Sequence, residues 1–225
     1  ARRSFTYSGT TAQDRGLTGA GVNVAIVDTG VDNRHKAFRK AGHFNDDGSC
    51  VPSNTRFVTG YDATVTETAF QTMIACTSRD FLGHGTHVAG TVLGLPTPQP
   101  PSVCLPPRPP DDVVATDCGG VAPSAGLVDV KVCNGALSNP CPYLEAGLDW
   151  IEGNFQTHNI GVVNISLGTK CGDDDGGTGA RAAQVNALVS LGVAVVIAHG
   201  NAYPEPPPPD NTDPPYCNAG QRLTS

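Results

Sequence analysis

Two histidines stand three residues apart in residues 80–95, which read DFLGHGTHVAGTVLGL. His84 lies between two glycines, at the start of a run of small residues that is typical of a closely packed helix. An imidazole in this place could ligate a metal ion, fill the core or act as a catalytic base. Paired metal ligands on a helix favour the spacing i and i+4 with a glutamate between them, as in HExxH. His84 and His87 are one residue closer and have no acid between them, so the spacing disfavours a metal site.

An acid and an amide occur where two apolar runs of the sequence end. Asp28 closes the run 22–28, and Asn201 closes the run 193–201. If these runs are parallel strands, their carboxyl ends share the edge at which such sheets bind ligands. A carboxylate can orient a histidine, whose ring can then take a proton from a hydroxyl near neutral pH. An amide N–H can stabilise a developing oxyanion. The pattern predicts a catalytic site that contains Asp28, His84 and Asn201.

Four apolar runs rich in valine and isoleucine predict the strands that would position these groups. The runs are nearly continuous, apart from Asp129 and Lys131, and such runs are typical of strands buried on both faces. Helical patterns lie between them, and this alternation favours an α/β fold with a mostly parallel sheet flanked by helices. The predicted strands are 22–28, 126–132, 161–168 and 193–201, and the predicted helices are 84–94, 142–159 and 180–192.

The composition narrows the class of protein and its partners. Of the 225 residues, 39% are hydrophobic, which is enough for a packed core, and the formal net charge is −7. This charge argues against a nucleic-acid partner, which requires clustered lysine and arginine. No apolar run reaches the length needed to span a bilayer, so no membrane partner is expected. The chain begins ARR without an initiator methionine, which is expected after removal of a leader or pro-segment.

Eight cysteines predict disulfides and an oxidising, extracellular location. None falls in a CxxC pair, which disfavours a cysteine-ligated zinc site. The sequence alone does not choose among the many connectivities that eight cysteines allow, but the loop-like inserts between neighbouring cysteines favour local pairing. The pairs predicted in this way are Cys50–Cys76, Cys104–Cys118 and Cys133–Cys141, and Cys171–Cys217 is the pair that remains.

Two proline-dense segments, near 96–112 and 203–215, do not suit a packed core. Proline cannot donate hydrogen bonds to a strand ladder and favours extended polyproline geometry. We expect surface inserts stiffened by proline, with docking sites for proline-binding modules as the alternative. The sequence contains no internal repeats and no sign of a second domain.

Five motifs occur in the order found in subtilisin-like serine proteases, and the chain resembles that family, the subtilases. The motifs are VAIVDTGVD, GHGTHVAGTV, GVAPSAGLVDVKV, VNISLG and AVVIAHGN, which span residues 24–201. The resemblance implies a three-layer α/β/α fold and an endopeptidase that cleaves polypeptide substrates through an acyl-enzyme. It also implies that Asp28 is the triad acid, His84 the triad base and Asn201 the oxyanion-hole side chain.

The resemblance further implies how substrate is held and how the helix around His84 is built. Ser166, Leu167 and Gly168 would form the backbone strand that pairs with an extended substrate. The glycines beside His84 would let the helix begin in a tight turn and pack close to the sheet. His87, one turn further on, is expected to face packing rather than substrate.

The sequence departs from the family pattern at the nucleophile. The family carries its serine in a G-T-S-M-A motif well beyond the asparagine, and residues 1–225 contain no such motif. We therefore expect the chain to be the N-terminal part of a single catalytic domain, incomplete by itself, with the nucleophilic serine beyond Ser225. The expected partner is the C-terminal remainder of the same protease as a separate chain, and a pro-segment inhibitor could also bind. The alternative is a catalytically inactive subtilase-fold fragment or a binding module.

No cofactor is required by this chemistry, and calcium binding stays open. Residues 171–179, CGDDDGGTG, offer three adjacent aspartates, and carboxylate oxygens suit Ca²⁺. Successive side chains of an extended segment diverge, however, so a solvated acidic loop is favoured there. A dinucleotide site is disfavoured because Gly19 and Gly21 precede the first predicted strand, whereas a phosphate-binding turn follows its strand.

Overall fold

The computed structural model of the chain describes residues 12–40, 49–95, 97–98, 117–135, 141–167, 169–170, 179–198 and 216–217. A six-stranded sheet lies at its centre. The order across the sheet is β3–β2–β4–β1–β5–β6, and neighbouring strands are parallel except for β2 and β3. The strands are β1 (Asn23–Asp28), β2 (Phe57–Asp62), β3 (Thr72–Met73), β4 (Gly126–Lys131), β5 (Ile160–Ile165) and β6 (Ala194–Ile197).

Helices and short turns connect the strands. The helices are α1 (Thr68–Gln71), α2 (His84–Leu93), α3 (Leu144–Asn154) and α4 (Ala180–Ser190), and 3₁₀ turns occur at Gln13–Arg15, Lys36–Phe38 and Pro52–Asn54. Outside the main sheet, Thr97–Pro98 pairs with Asp117–Cys118, and Thr169–Lys170 pairs with Tyr216–Cys217. Within the described ranges, every helix is too short or too polar to cross a membrane.

Two apolar clusters cover the two faces of the sheet. Because side chains alternate along a strand, Val24 and Ile26 of β1 enter one cluster, whereas Ala25 and Val27 enter the other. Helix α2 covers the first face, and helices α3 and α4 cover the second. Their buried contributions are Ala89 and Leu93 from α2, Leu148 and Ile151 from α3, and Val185 and Leu188 from α4. The predicted α/β fold with three layers is confirmed.

The predicted strands and helices are present with shifted ends, and one parallel strand is additional. The third predicted strand ends at Ile165, before Gly168, and the second predicted helix is shortened to Leu144–Asn154. The sequence did not predict β2, FVTGYD, because its polar residues and Gly60 interrupt any apolar run. That glycine allows close packing, since a Cβ there would lie 2.7 Å from the carbonyl oxygen of Asp129.

Two of the predicted disulfides are confirmed. Cys50 is bonded to Cys76, and Cys133 is bonded to Cys141. The other two predicted pairs, Cys104–Cys118 and Cys171–Cys217, involve residues or side chains outside the described part of the chain. Most of both proline-dense segments, near 96–112 and 203–215, also lies outside it.

Candidate active site

Asp28 is the last residue of β1, at the carboxyl edge of the sheet, and its side chain is fully buried. Its Oδ1 accepts a hydrogen bond of 2.7 Å from the backbone N–H of Thr29. Its Oδ2 is buried and has no hydrogen-bond partner within the described residues. Burial raises the pKa of this carboxyl, and its hydrogen bonds with His84 and Thr29 offset only part of that effect. A buried acid that remains bonded to a histidine is suited to orienting that ring.

His84 is the first residue of α2 and meets the acid directly. Its Nδ1 lies 2.7 Å from Asp28 Oδ1. The histidine side chain is 52% exposed, whereas the aspartate side chain is 0% exposed. An ionised carboxylate can only accept, so Nδ1 carries the hydrogen in this pair and Nε2 is the nitrogen available for proton transfer.

Glycines permit this close approach of α2 to β1. Gly83 precedes the helix with a φ of +82°, a left-handed conformation that side chains rarely adopt. A Cβ on Gly85 would lie 2.1 Å from the carbonyl oxygen of Gly30 and 3.1 Å from Asp28 Cβ. The expectation that small residues let the helix pack close to the sheet is confirmed.

Asp80 fixes the start of α2, a function that sequence reasoning missed. Its Oδ1 accepts hydrogen bonds from Gly83 N–H at 2.8 Å and from the Thr29 hydroxyl at 2.9 Å. Its Oδ2 accepts from the Thr86 N–H at 2.9 Å and from the Thr86 hydroxyl at 2.6 Å. Burial alone would raise the pKa of Asp80, but these bonds outweigh it and the pKa is lowered. The position of Asp80 shortly before a predicted helix could have indicated this function, because a carboxylate there can accept hydrogen bonds from the free N–H groups of the first turn.

Of the four other predicted site residues, the structure describes two, Ser166 and Leu167. Ser166 and Leu167 follow β5 directly and are half-buried, and the Ser166 hydroxyl accepts a hydrogen bond of 2.9 Å from Asn164. Since Ile165 pairs with Val27, these residues leave the sheet at the same edge as the acid–histidine pair. The predicted residues Gly168 and Asn201 lie outside the described residues.

The expectation for His87 is wrong, because its side chain is exposed rather than packed. The buried positions of α2 are Gly85, Ala89 and Leu93, which face the sheet, and His87 lies on the opposite side. Within the part of the chain that the structure describes, no three histidine, cysteine, aspartate or glutamate side chains are grouped to hold a metal ion. The acidic loop considered for calcium, residues 171–178, is outside that part.

Comparisons with known proteins identify relatives among serine proteases of the subtilisin type. A sequence model of the Subtilase family matches residues 19–220. Subtilisin Savinase of Lederbergia lenta is 33% identical over 191 residues, which cover 85% of this chain and 52% of that protein. Subtilisin E of Bacillus subtilis is 31% identical over 189 residues, which cover 83% of this chain and 36% of that protein. The chain therefore spans only about a third to a half of the length of these relatives.

Solved structures agree at the level of the fold. The CspB protease of Clostridium perfringens matches with a TM-score of 0.58 and 26% identity, over 84% of this chain and 38% of that one. A cold-adapted subtilisin-like serine proteinase matches with a TM-score of 0.51 and 27% identity, over 82% of this chain and 48% of that one.

Proposed function

Since the chain belongs to the subtilase family, we propose that it supplies the acid and the base of a secreted serine endopeptidase. The observation that carries the proposal is the 2.7 Å contact between His84 Nδ1 and Asp28 Oδ1. A fully buried carboxylate next to a half-exposed imidazole is the arrangement that a proton relay needs. The acid is fixed in the fold, and the ring has one nitrogen free for an external hydroxyl.

In the proposed reaction, a serine hydroxyl attacks the peptide carbonyl carbon while His84 Nε2 takes its proton. Asp28 orients the ring and stabilises the imidazolium that forms. When the tetrahedral intermediate collapses, the C–N bond breaks and the imidazolium protonates the leaving amine. Water then attacks the acyl carbon while His84 Nε2 takes its proton. The bond to the serine oxygen breaks, and the imidazolium returns the proton to that oxygen. Asn201 is proposed to donate its amide N–H to the oxyanion.

The nucleophilic serine is proposed to lie beyond Ser225, on the C-terminal remainder of the same protease as a separate chain. This proposal is supported by the absence of a G-T-S-M-A motif in residues 1–225. The relatives' greater length supports it as well, since it leaves room for such a segment. Residues 1–225 would then be the N-terminal part of one catalytic domain. A pro-segment that binds as an inhibitor is part of the same proposal.

The polypeptide substrate is proposed to lie extended along Ser166, Leu167 and Gly168 as an added strand. The backbone leaves β5 at this point, next to the edge that carries Asp28. An extracellular location is proposed as well, because the disulfides Cys50–Cys76 and Cys133–Cys141 suit an oxidising compartment.

The test uses the complete protein, that is, this chain together with the segment that carries the serine. His84→Ala should lower kcat by a factor on the order of 10⁶, a value known for subtilisin itself rather than derived from this structure. His87→Ala is the matched control, since that histidine is on the same helix and exposed, and it should keep kcat within about twofold. Hydrolysis at the wild-type rate by the His84 variant would show that the assignment is wrong.

Asn201→Ala should lower kcat by about 10²- to 10³-fold with little change in KM, again by analogy with subtilisin. A change confined to KM would contradict an oxyanion role. The alternative function is a catalytically inactive fragment or a binding module. Labelling by a fluorophosphonate probe separates the two, because only an activated serine in the complete protein reacts. Folded, complete protein that resists the probe would favour the binding module.

A further inference from the structure

Lys131 is a buried lysine that the proposed reaction does not use. It is the last residue of β4, where it and Asp129 are the two charged residues among apolar ones, and it is only 5% exposed. It lies opposite Asp28 on one neighbouring strand and opposite Asp62 on the other. Lysine is rarely buried unless its ammonium is paired, since removing the charge from water is unfavourable. The hydrogen bonds of its ammonium group therefore indicate why this lysine is buried.

The ammonium group joins the two segments that carry the acid and the base. Nζ donates one hydrogen bond to the carbonyl oxygen of Thr29 and another to the carbonyl oxygen of Arg79, each 2.7 Å long. Thr29 directly follows Asp28 in the chain, and Arg79 lies in the segment that leads into α2 and His84. One side chain thus bridges the turn after β1 and the loop before α2.

The surroundings keep this bridge in place. Burial lowers the pKa of Lys131, whereas the carboxyl groups of Asp62, Asp129 and Asp80 counteract that shift and favour the ammonium form. The ring of Phe81 lies over the ammonium, with its centroid 5.3 Å from Nζ. The bridge therefore combines two charge-assisted hydrogen bonds with several favourable charge contacts.

We propose that Lys131 is a positioning residue, which sets the distance between Asp28 and His84 by tying together the two segments that carry them. This inference rests on the proposed function for its effect on catalysis. The proton relay requires Nδ1 and Oδ1 to stay within hydrogen-bond distance, and a displacement of about 1 Å can lower a rate by about 100-fold. The Lys131 ammonium donates its hydrogen bonds to backbone carbonyls rather than to the two reacting side chains, and so acts through the backbone.

The first experiment compares Lys131→Met with Lys40→Met in the complete protein. The control lysine also donates a hydrogen bond to a backbone carbonyl, that of Ser53 at 2.9 Å, but it is exposed. Rates are expressed per active site, counted by fluorophosphonate titration, so that unfolded protein does not contribute. Lys131→Met should lower kcat by about 10- to 100-fold with KM within about twofold, whereas the control should change neither.

A second variant, Lys131→Gln, retains an amide donor that is one atom shorter. It should show an intermediate loss of kcat, because it can keep part of the bridge. If the methionine variant gives no titratable sites, the glutamine variant is judged by the same criterion. Wild-type kcat per active site in the judged variant would overturn the proposal, and so would an equal loss in Lys40→Met.

A spectroscopic measurement separates this proposal from the proposed function. The hydrogen between His84 Nδ1 and the carboxylate is expected to give a downfield proton resonance in NMR spectra, because it lies in a short hydrogen bond that needs no nucleophile. The resonance should be weakened or shifted in Lys131→Met and unchanged in Lys40→Met. Should the wild type prove unable to hydrolyse peptides, the proposed function fails while this readout still decides the role of Lys131. An unchanged resonance in the Lys131 variants would refute it.

Discussion

The centre of the sheet and its margin are built from similar apolar residues, yet they differ sharply in burial. We use centre for β1, β4 and α2, and margin for β6 and α4. Every residue from Val24 to Asp28 in β1 is buried. In the margin, Val196 of β6 is 55% exposed and Val189 of α4 is 54% exposed. The margin is attached through Val185, Leu188 and Val193, which are buried, whereas Val189 and Val196 on its outer side are exposed within the described residues.

This difference indicates that the acid–histidine pair forms within the centre, whereas the proposed catalytic site is completed at the margin. Asp28 and His84 both lie in the centre, and the hydrogen bond that joins them is present within the described residues. The margin instead offers an edge strand and exposed valines, a surface on which further chain can pack. We expect the segment with the proposed nucleophile to cover it. We therefore expect substitutions in the centre to destabilise the protein strongly and substitutions in the margin to be tolerated.

The largest expected effect comes from filling the contact between α2 and β1. Gly85→Ala should lower the free energy of unfolding by more than about 3 kcal/mol, because its Cβ would lie 2.1 Å from the Gly30 carbonyl oxygen. Gly90→Ala in the same helix meets nothing within 4 Å and should stabilise the protein by about 0.5–1 kcal/mol. Urea unfolding of both variants measures the difference. Equal effects would mean that α2 can move away from the sheet.

A second large effect is expected where Arg56 ties the end of α2 to the start of β4. Its guanidinium donates hydrogen bonds to four carbonyl oxygens, and burial lowers its pKa to about 10. The acceptors belong to Ala37, Arg39, Leu93 and Ala125. Arg56→Met removes four charge-assisted hydrogen bonds that link α2 to β4 and should cost about 2–3 kcal/mol in urea unfolding.

Arg34→Met is the matched control for Arg56. Arg34 has an exposed side chain and pairs with Asp32 at 2.8 Å. Its removal should leave the urea midpoint almost unchanged, because solvent screens surface ion pairs of this kind. A comparable loss in the two variants would show that the guanidinium of Arg56 does not hold the centre together.

The sequence predicted the centre better than the contacts that align it. Strand β1 is a nearly continuous run of valine, alanine and isoleucine, and β4 is rich in leucine and valine apart from Asp129 and Lys131, so their burial on both faces could be expected from the sequence pattern. Strand β2 escaped prediction because polar residues and a glycine interrupt its apolar residues, and its buried aspartate depends on specific partners. Asp62, for example, accepts hydrogen bonds from Thr64 and Arg79. Such partners become neighbours only after the chain has folded.

The same limit applies to the site. Asp28 and His84 could be assigned because each stands in a distinctive motif at a predictable edge of the sheet. Asp80 and Lys131 could not, because one resembles any polar loop residue and the other resembles a polar interruption of a strand. Their roles depend on distances to backbone atoms of other segments, which spacing along the sequence does not encode. The error at His87 has a similar origin, since the burial of a helical position depends on which side of the helix meets the sheet.

Truncating one valine in the centre and one in the margin tests whether the two regions differ in stability as they do in burial. Val130→Ala in β4 removes two fully buried methyl groups and should cost about 2 kcal/mol. Val196→Ala in β6 should cost less than about 0.5 kcal/mol in the 225-residue chain. In the complete protein, the cost of Val196→Ala should rise above about 1 kcal/mol if further chain covers β6. An unchanged small cost there would place the remainder of the protein elsewhere.

The smallest expected effect is a pH dependence of stability, which should have opposite signs for the carboxyl groups of Asp28 and Asp80. The pKa of Asp28 is raised by burial above its ordinary value of 3.8, so the folded state binds this proton more tightly than the unfolded state does. The stability from this group is fully present below that ordinary pKa and is lost as the pH rises through the folded pKa. Asp28→Asn, which has no such proton, should therefore be more stable than wild type near neutral pH, even though catalysis is lost.

Asp80→Asn is the matched variant of opposite sign. The pKa of Asp80 is lowered, since the hydrogen bonds it accepts outweigh its burial. Its contribution to stability is present above the ordinary pKa and is lost as the pH falls through the folded pKa. Asp80→Asn should be less stable than wild type near neutral pH, and both differences should shrink toward about pH 3, where the two carboxyls become protonated in the unfolded chain. Urea midpoints across this range measure both. If Asp28→Asn is instead the less stable protein near neutral pH, the bond to His84 outweighs the burial of the carboxylate. The acid would then stabilise the centre as well as orient the ring.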